Sequence, residues 1–267
     1  MEREKRSKFL AQQGYLLTLL VRRNIKNQYY RSFIGILWTV LNPLLNMAVM
    51  AFVFSSIFGA GITNGLDYPL YILSGNIIFN IMRTSTTGSL PCLVQQQDML
   101  QKTKVPIGLF PTANVLSSMV TFGFSFIALL IVALFRLAVG KYVFSWHIVL
   151  LLALLPAVML FSLGLSYFLS ALYVFFRDIE HIYSVILTLW TYLTPLFYTI
   201  DVLGNPTVTR FMSFNPMFHY VTYFRDILTG IVPSAWEHLV CYAFGIVAFV
   251  IGYLFMCIVR NKIAAKL

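Results

Sequence analysis

Charged residues are scarce in this sequence, and that scarcity excludes most classes of soluble protein. Only 10% of the 267 residues are Asp, Glu, Lys or Arg, whereas 59% are hydrophobic, and the mean hydropathy is +0.81. A soluble domain of this length cannot bury so much apolar surface. The sequence therefore predicts an integral membrane protein.

Cysteines are few and catalytic motifs are missing. Cys92, Cys241 and Cys257 lie in apolar surroundings without CxxC spacing, which argues against a zinc site or a disulfide framework. There is no GxxxxGKS/T, GxSxG or HExxH motif, and the four histidines are scattered. We expect no active site and no metal site. If the protein is a transporter, ATP hydrolysis has to come from another subunit.

Basic residues cluster at the amino terminus. Eight of the 19 Lys and Arg lie within residues 1–31, which predicts that this end is cytoplasmic. Apolar residues recur there every four positions, whereas a separate stripe contains Arg22, Arg23 and Lys26. The pattern predicts an amphipathic interface helix within a cytoplasmic segment of residues 1–32. Its basic stripe could bind lipid phosphates in general, or the pyrophosphate of a carrier lipid.

Long uncharged runs alternate with short polar loops through the rest of the chain. About 20 apolar residues suffice to cross the hydrocarbon core of a bilayer. Six runs are predicted to be spans, with approximate limits 33–58, 68–93, 107–135, 142–176, 182–198 and 239–259. The fourth is overlong, so we expect it to be tilted or preceded by a surface segment. The predicted fold class is all-α integral membrane, with six transmembrane helices in one domain over residues 33–267.

The basic residues orient these spans. The predicted topology places fourteen of the 19 Lys and Arg inside and four outside, with both termini cytoplasmic. This asymmetry explains the net charge of +10 better than nucleic-acid binding does. Residues 94–106 form an inner loop, whereas residues 201–235 are too polar for a span and too aromatic for a plain loop. We expect short re-entrant outer helices there, broken at Asn215-Pro216 and covered by protein.

Charged residues in or beside the spans are candidates for function. Arg83 is expected roughly 15 Å deep, about ten residues from the inner end of the second span, where an unpaired guanidinium is costly. It either bonds to helix-end carbonyls or a partner side chain, or contacts an anionic substrate. Arg177, Asp178 and Glu180, before the fifth span, fit a local salt-bridged turn that closes two helices.

Aromatic residues make up 16% of the chain, and several of them lie in the first and fifth spans. The candidates for lining a path through the membrane are Trp38, Phe52, Trp190, Tyr192, Phe197 and Tyr198. Such rings could stack on the apolar faces of sugars, or they could pack against neighbouring helices. The residues alone leave both interpretations open.

Short motifs spread along the chain together resemble one known family. In chain order they are RRNIKN at 22–27, YRSFIGILW at 30–38, LNP at 41–43, YILSG at 71–75, VFFRDIEH at 174–181, TP at 194–195, NP at 215–216 and FRD at 224–226. This ordered set resembles the permease subunits of type 2 ABC exporters that carry lipid-linked polysaccharides, as in O-antigen, capsule and teichoic-acid export. The resemblance covers nearly the whole chain.

The resemblance implies partners and roles that composition does not. Two copies of such a permease pair with two ATPase subunits, which hold ATP and Mg, so this chain is expected to bind no cofactor. Its inner loop resembles the helix that couples to the ATPase, with candidate residues Asp98, Leu100, Gln101, Lys102 and Lys104. The outer segment resembles gate helices, with candidate residues Asn215, Pro216, Arg225 and Asp226. Arg83 departs from the family pattern, where a small polar residue is usual, so no family role is assigned to it.

We therefore expect an exporter that moves a polyprenyl-linked glycan from the inner leaflet outward across a bacterial plasma membrane, along a path with aromatic walls. Its partners would be an ATPase, a second copy of itself, the glycan and membrane lipids, and not nucleic acid. One alternative is an exporter of drugs or other small amphiphiles. Another is a membrane glycosyltransferase or acyltransferase, although Asp178 and Glu180 lie on a turn too short to make a site alone.

Overall fold

Helices make up most of the protein in the computed structural model, which describes residues 2–29, 35–58, 62–63, 65–103, 105–199 and 206–266. The helices are α1 (Glu2–Tyr29), α2 (Gly35–Phe58), α3 (Tyr68–Ser89), α4 (Cys92–Gln95), α5 (Gln97–Lys102), α6 (Leu109–Ala138), α7 (Leu151–Phe175), α8 (Ile179–Leu193), α9 (Pro206–Met212), α10 (Pro216–Thr229) and α11 (Ala235–Lys266). Strands β1 (Ile62–Thr63) and β2 (Leu66–Asp67) form an antiparallel pair, with Ile62 opposite Asp67 and Thr63 opposite Leu66. The predicted all-helical class is confirmed apart from this small hairpin.

Three helical segments of the described chain are long and apolar enough to cross a membrane. They are Leu109–Ala138, Trp146–Phe175 and Ala235–Ile263, and they correspond to the third, fourth and sixth predicted spans. A shorter apolar helical stretch, Leu37–Val53, lies within α2. The count of six spans stays a prediction.

The fourth span resolves into two parts. A 3₁₀ helix, Trp146–Leu150, precedes α7, so the overlong run consists of a short segment followed by a helix of ordinary length. Ser145 begins this 3₁₀ helix, because its side chain accepts a hydrogen bond from the backbone N–H of His147 at 3.3 Å. A short segment thus precedes α7, whereas the tilt of the span stays a prediction.

The fifth predicted span is helical only in part. α8 has 15 residues and ends at Leu193, so its rise of roughly 22 Å is shorter than a hydrocarbon core of about 30 Å. Pro195 follows two residues later and cannot continue the helix, because it has no backbone N–H. Residues 195–198, called here the unwound segment, extend the chain beyond α8 without helical hydrogen bonds.

α3 is the central helix of the fold, since it contacts α2, α6, α7 and α10. Tyr71, Ile78 and Met82 are among its fully buried side chains. The helix ends at Ser89 rather than near Leu93, and the chain then turns into α4. The apolar face of α3 is buried in this core, so only its other face remains uncovered.

The two ends of the bundle are tied differently. At the end predicted to be outside, Arg136 of α6 forms an ion pair with Asp67 of β2, and the Tyr142 hydroxyl donates to the Leu228 carbonyl at 3.1 Å. At the opposite end, α1, α4, α6, α7 and α11 share a separate buried cluster. The pairing of Arg136 with Asp67 places two segments predicted to be outside at the same end.

The most extensive helix contact is between α7 and α11. A Cβ atom on Gly252 would overlap the carbonyl of Gly164, and one on Gly164 would overlap the backbone of Ala248. A Cβ on Gly245 would lie 2.7 Å from the Ala157 carbonyl oxygen. Glycine at these positions lets the two backbones touch, which is how membrane helices gain packing energy without a hydrophobic driving force.

Candidate functional site

A cavity of about 1200 Å³ opens between α2, α3, α6 and α8. Its apolar lining includes Met47, Leu73 and Ile77, but polar side chains from all four helices make up much of the wall. This cavity is called the polar cleft below. It is the larger of the two best-formed cavities in the described part of the chain.

α3 contributes a continuous polar stripe to the cleft. Asn76, Asn80, Arg83, Thr84 and Thr87 all line it, and at 100° per residue these positions lie within a sector of about 100° on the helix. The opposite face of α3 is buried in the core. The helix therefore separates the apolar interior from the polar cleft.

Two neighbouring helices present matching stripes. Ser184, Thr188 and Thr191 of α8 line the cleft at i, i+4 and i+7 spacing, which places them on one face. On α2, the Asn46 side-chain amide donates to the side-chain oxygen of Asn42 at 2.9 Å, and both residues line the cleft. Three helices thus direct amides and hydroxyls into the same space.

The hydroxyl groups of the cleft are arranged to accept hydrogen bonds. Thr84, Thr87 and Thr188 each donate to the backbone carbonyl four residues earlier, at 2.7, 2.7 and 3.0 Å respectively. A hydroxyl whose proton is used in this way still has lone pairs that can accept from a ligand. The walls are therefore suited to a ligand rich in hydroxyl donors.

Four of the predicted path residues line the cleft: Trp38, Arg83, Tyr192 and Phe197. Arg83 lies six residues from the end of α3, roughly 9 Å of helix rise, because α3 ends earlier than expected. Trp38 and Tyr192 are more than half exposed. The cleft thus combines aromatic rings with polar groups.

The remaining path candidates lie elsewhere. Trp190 packs edge-on against Phe161, with ring centroids 6.0 Å apart, so for this residue the packing interpretation fits the structure. Phe52 is 82% exposed on α2, and the Tyr198 hydroxyl donates to the Tyr192 carbonyl at 2.7 Å. Neither Phe52 nor Tyr198 is among the lining residues of the cleft.

The carbonyls of the unwound segment all receive side-chain hydrogen bonds. Arg225 donates to the carbonyls of Pro195 at 2.8 Å and Leu196 at 3.3 Å. The next two carbonyls, those of residues 197 and 198, accept from the hydroxyls of Tyr68 at 2.7 Å and Tyr71 at 2.8 Å. Non-helical backbone at membrane depth is tolerated only where its polar groups are satisfied. Side chains of α3 and α10 meet this requirement here.

Arg225 is buried, with 6% of its surface exposed. Its guanidinium also donates to the Tyr71 carbonyl at 3.1 Å and lies 3.4 Å from the centre of the Tyr71 ring. A Cβ atom on Gly75 would lie 2.7 Å from an Arg225 nitrogen, so glycine is needed beside it. Arg225, one of the predicted gate residues, therefore joins α10 to α3 and to the unwound segment after α8 like a clamp.

Asn215 makes a second connection between α8 and α10. Its side-chain oxygen accepts from the Met217 N–H at 3.0 Å, which caps α10, and from the Trp190 indole N–H at 2.7 Å. Its amide donates to the Thr194 hydroxyl at 2.9 Å. Pro216 occupies the first turn of α10, where its missing N–H costs nothing. The break predicted at Asn215-Pro216 is confirmed, and it links two helices.

Asp226 lies at the last turn of α10, near the start of α11. Burial raises the pKa of its carboxyl to about 6, Glu237 contributes to the increase and Arg225 lowers it. The carboxylate therefore loses its charge as the pH falls through about 6. Glu237 itself belongs to a capping box with Ser234 that begins α11.

The amino-terminal helix is bound to the inner loops by polar contacts. Arg23 donates to the side-chain oxygen of Gln96 at 2.9 Å. Asn24 donates to Asn114 of α6 at 2.8 Å, and Asn114 donates to the Gly88 carbonyl at 3.0 Å. Sequence analysis did not identify Asn24 or Asn114, although Asn24 lies within the RRNIKN motif. These contacts connect α1 to the ends of α3 and α6.

α5 is a short helix on the surface between α4 and α6. Asp98 lies in its first turn and Lys102 in its last turn, an arrangement that the helix dipole favours. Both residues and Gln101 are exposed, whereas Leu100 is partly buried against the inner cluster. Lys104 lies outside the described residues. Met99 packs against the same cluster, so two apolar side chains anchor this short, otherwise exposed helix.

The remaining predicted charged residues lie on exposed surfaces. Arg22 and Lys26 are exposed on α1. Arg177, Asp178 and Glu180 are also exposed, and among the described residues no ion pair joins them. Instead, Glu180 accepts a hydrogen bond from the Tyr173 hydroxyl at 3.3 Å. No cluster of three metal-binding side chains occurs in the described part of the chain.

Comparison with known proteins identifies the relatives of this chain. Residues 15–229 match the family model described as ABC-2 type transporter. The O-antigen export system permease protein RfbA of Myxococcus xanthus is 32% identical over 219 residues, which cover 82% of each chain. Two proteins of the same name from Klebsiella pneumoniae are 28% and 27% identical over 90% of this chain and 91% of their own lengths. The resemblance inferred from the motifs is confirmed, and this multi-pass membrane protein belongs to the ABC-2 type transporter family.

Proposed function

We propose that this chain is the transmembrane subunit of an ATP-driven exporter, which moves a lipid-linked polysaccharide to the outer side of the bacterial plasma membrane. The observation that carries the proposal is the polar cleft in a member of the ABC-2 family. The relatives named as O-antigen export permeases support a polysaccharide substrate.

The lining of the cleft favours a glycan over a small amphiphile. Sites for drug-sized ligands are typically about 300–1000 Å³ and are lined mainly by apolar side chains. The cleft is larger, at about 1200 Å³, and all four helices contribute amides or hydroxyls to its lining. Sugars carry many hydroxyl donors together with apolar ring faces, which suit the threonine acceptors and the rings of Trp38 and Tyr192. These amides and hydroxyls would add little affinity for a drug-sized ligand that is mainly apolar.

The same geometry argues against a glycosyltransferase. Catalysis on a sugar needs a positioned acid or base close to the bound substrate. None of the described residues that line the cleft is Asp, Glu or His. The pair Asp178 and Glu180 lies on the exposed turn before α8 instead.

The topology that fits this function has six spans and cytoplasmic termini. α2, α3, α6, α7 and α11 would each cross the bilayer, and α8 would cross together with the unwound segment. α9 and α10 would lie in the outer leaflet as re-entrant helices, since Arg225 of α10 reaches the unwound segment. The basic amino terminus supports this orientation.

The proposed assembly contains two copies of this chain and two ATPase subunits, which would hold ATP and Mg. The polar stripes of α3 and α8 support a second copy, because polar side chains cannot face lipid without cost. A second copy would enclose the cleft and leave water inside. α5 would be the docking site of the ATPase, and the basic face of α1 would contact membrane lipids.

Depletion of the protein tests its function directly. We expect complete, polyprenyl-linked glycans to accumulate in the inner leaflet, detected by mass spectrometry and by protection from an impermeant sugar-modifying reagent. Re-expression of the chain should return them to the outer side. If the glycans were instead truncated or missing, without accumulation in the inner leaflet, the protein would be a synthetic enzyme. An unchanged glycan pattern would favour export of a small amphiphile.

The docking site is testable by proximity. In a Cys257→Ser background, which removes the one exposed native thiol of the described chain, we expect Lys102→Cys to crosslink to the ATPase through a short maleimide-succinimide reagent. Lys141→Cys is the matched control, since Lys141 is also exposed but follows α6 at the opposite end. Equal crosslinking at both positions, or none at Lys102→Cys in an assembled complex, would contradict docking at α5.

A further inference from the structure

Arg83 is the single charged side chain among the described residues that line the polar cleft. We propose that its guanidinium binds an acidic group, a carboxylate or a phosphate, of the molecule that occupies the cleft. This inference rests on the proposed export function. It specifies which group of the substrate the cleft recognises, namely a carboxylate on the sugars or a phosphate on the lipid carrier.

The guanidinium of Arg83 is available for a ligand. It is exposed to the cleft, and it forms no ion pair or side-chain hydrogen bond with any residue that the structure describes. The hydrogen bonds at this residue involve its carbonyl, which accepts from Thr86 at 3.1 Å and Thr87 at 2.7 Å. All the donors of the side chain therefore remain free.

Two other arginines of the helical bundle have structural partners. Arg225 donates to three backbone carbonyls and is buried over the Tyr71 ring. Arg136 forms an ion pair with Asp67. Arg83 has neither kind of partner, although a charge within a membrane protein is normally paired or faces a water-filled path. Its position in the cleft fits the second case.

No described residue in the lining of the cleft compensates the charge of Arg83. The groups that face it from the surrounding helices are neutral, as shown by Asn80 of α3, Asn46 of α2, Thr188 of α8 and Thr121 of α6. No carboxylate of the described chain lines the cleft. An incoming anion would supply the missing charge in a place that is partly shielded from bulk water, where the attraction is stronger than at an open surface.

The neighbouring groups define the class of ligand. A guanidinium offers parallel N–H donors that match a carboxylate or phosphate in a bidentate pair. On the same face of α3, Thr84 and Thr87 offer acceptors within one turn of Arg83. A sugar that carries an acid would use both, because its acid pairs with Arg83 while its hydroxyls donate to the threonines. A neutral glycan would use only the threonines.

Binding to the full complex in nanodiscs tests the proposal. One pair of probes is a galacturonate tetrasaccharide and the same tetrasaccharide with its carboxyls reduced to alcohols. The second pair is decaprenyl phosphate and decaprenol. We expect the acidic member of at least one pair to bind about tenfold more tightly than its neutral partner, as for a charge-assisted hydrogen bond. Preference in the first pair identifies the glycan as the source of the acid, and preference in the second identifies the carrier.

Arg83→Gln should abolish that preference, and Arg83→Lys should retain part of it. Lys141→Gln removes an exposed cation outside the cleft and should leave the preference unchanged, which excludes a general effect of charge. Equal binding of acidic and neutral probes by the unmodified protein, or an undiminished preference in Arg83→Gln, would overturn the proposal. The depletion experiment separates the two failures, because inward accumulation of glycan would still establish export.

Discussion

Replacing Arg225 with leucine is expected to prevent stable accumulation of the protein in the membrane. The substitution removes the hydrogen bonds to the carbonyls of Pro195, Leu196 and Tyr71. The Leu196 carbonyl then loses its one side-chain partner among the described residues, whereas the Pro195 carbonyl keeps a long hydrogen bond from the Tyr71 hydroxyl at 3.4 Å and the Tyr71 carbonyl keeps one from Ser74 at 3.0 Å. Each unsatisfied buried group costs about 1–3 kcal/mol. Together with the lost contact between the guanidinium and the Tyr71 ring, the expected destabilisation is about 2–4 kcal/mol, a large part of a typical folding free energy.

Thermal unfolding in detergent measures this effect. We expect the midpoint for Arg225→Leu to fall by about 10 °C, with most of the protein lost from membranes. Arg225→Lys should be intermediate, because an ammonium reaches one carbonyl but lacks the planar fork that serves several. Arg210→Leu is the matched control, since Arg210 is an exposed arginine on α9. Equal midpoints for Arg225→Leu and Arg210→Leu would show that the clamp contributes nothing.

A leucine at Gly252 is expected to separate α7 from α11. Even a single carbon there overlaps the carbonyl of Gly164, and backbone atoms cannot move aside as a flexible side chain does. Overpacking ordinarily costs about 1–3 kcal/mol and can cost more. Because this crossing is the most extensive helix contact of the fold, we place Gly252→Leu at the upper end of that range or beyond.

Protease sensitivity and thermal midpoint in detergent check this result. Gly252→Ala should be less damaging than Gly252→Leu, but still clearly destabilising. Gly123 of α6 supplies the control, because a Cβ atom there meets nothing within 4 Å. Gly123→Ala should be neutral or stabilising by about 0.5–1 kcal/mol, since alanine favours a helix over glycine. Similar losses at both glycines would mean that helix propensity, and not close packing, explains the effect.

The positions of most helices were predictable from the sequence. Uncharged runs bounded by polar loops located α2, α6 and α7, and the Asn-Pro pair located the start of α10. The end of α8 at Leu193 was harder to predict from the sequence, because the apolar run continues past Pro195 whereas the helix does not. Hydropathy records whether a segment tolerates lipid, whereas the end of a helix depends on local backbone chemistry.

The functional surface was only partly predictable. Arg83 stood out because charge is rare in a span, and α3 carries it into the cleft. The amides and hydroxyls around it were missed, although Asn76, Asn80, Thr84 and Thr87 repeat with helical spacing. Trp190 could not be assigned, since an aromatic residue has the same signature in a path and in a core. The polar stripes of α2, α3 and α8 meet only because of the tertiary packing of these helices, which the sequence pattern of one helix does not show.

The hydrogen-bonded carbonyls of the unwound segment constrain how the chain is built into the membrane. Tyr68 and Tyr71 precede α8 in the sequence, so their hydroxyls are available when the segment emerges from the ribosome. Arg225 follows Pro195 by 30 residues. Until α10 is synthesised, the Leu196 carbonyl therefore lacks its side-chain partner, and the Pro195 carbonyl has only the long hydrogen bond of 3.4 Å from the Tyr71 hydroxyl. Until then, water or the insertion machinery has to solvate them. We therefore expect the unwound segment to reach its final position only after α10 has been synthesised.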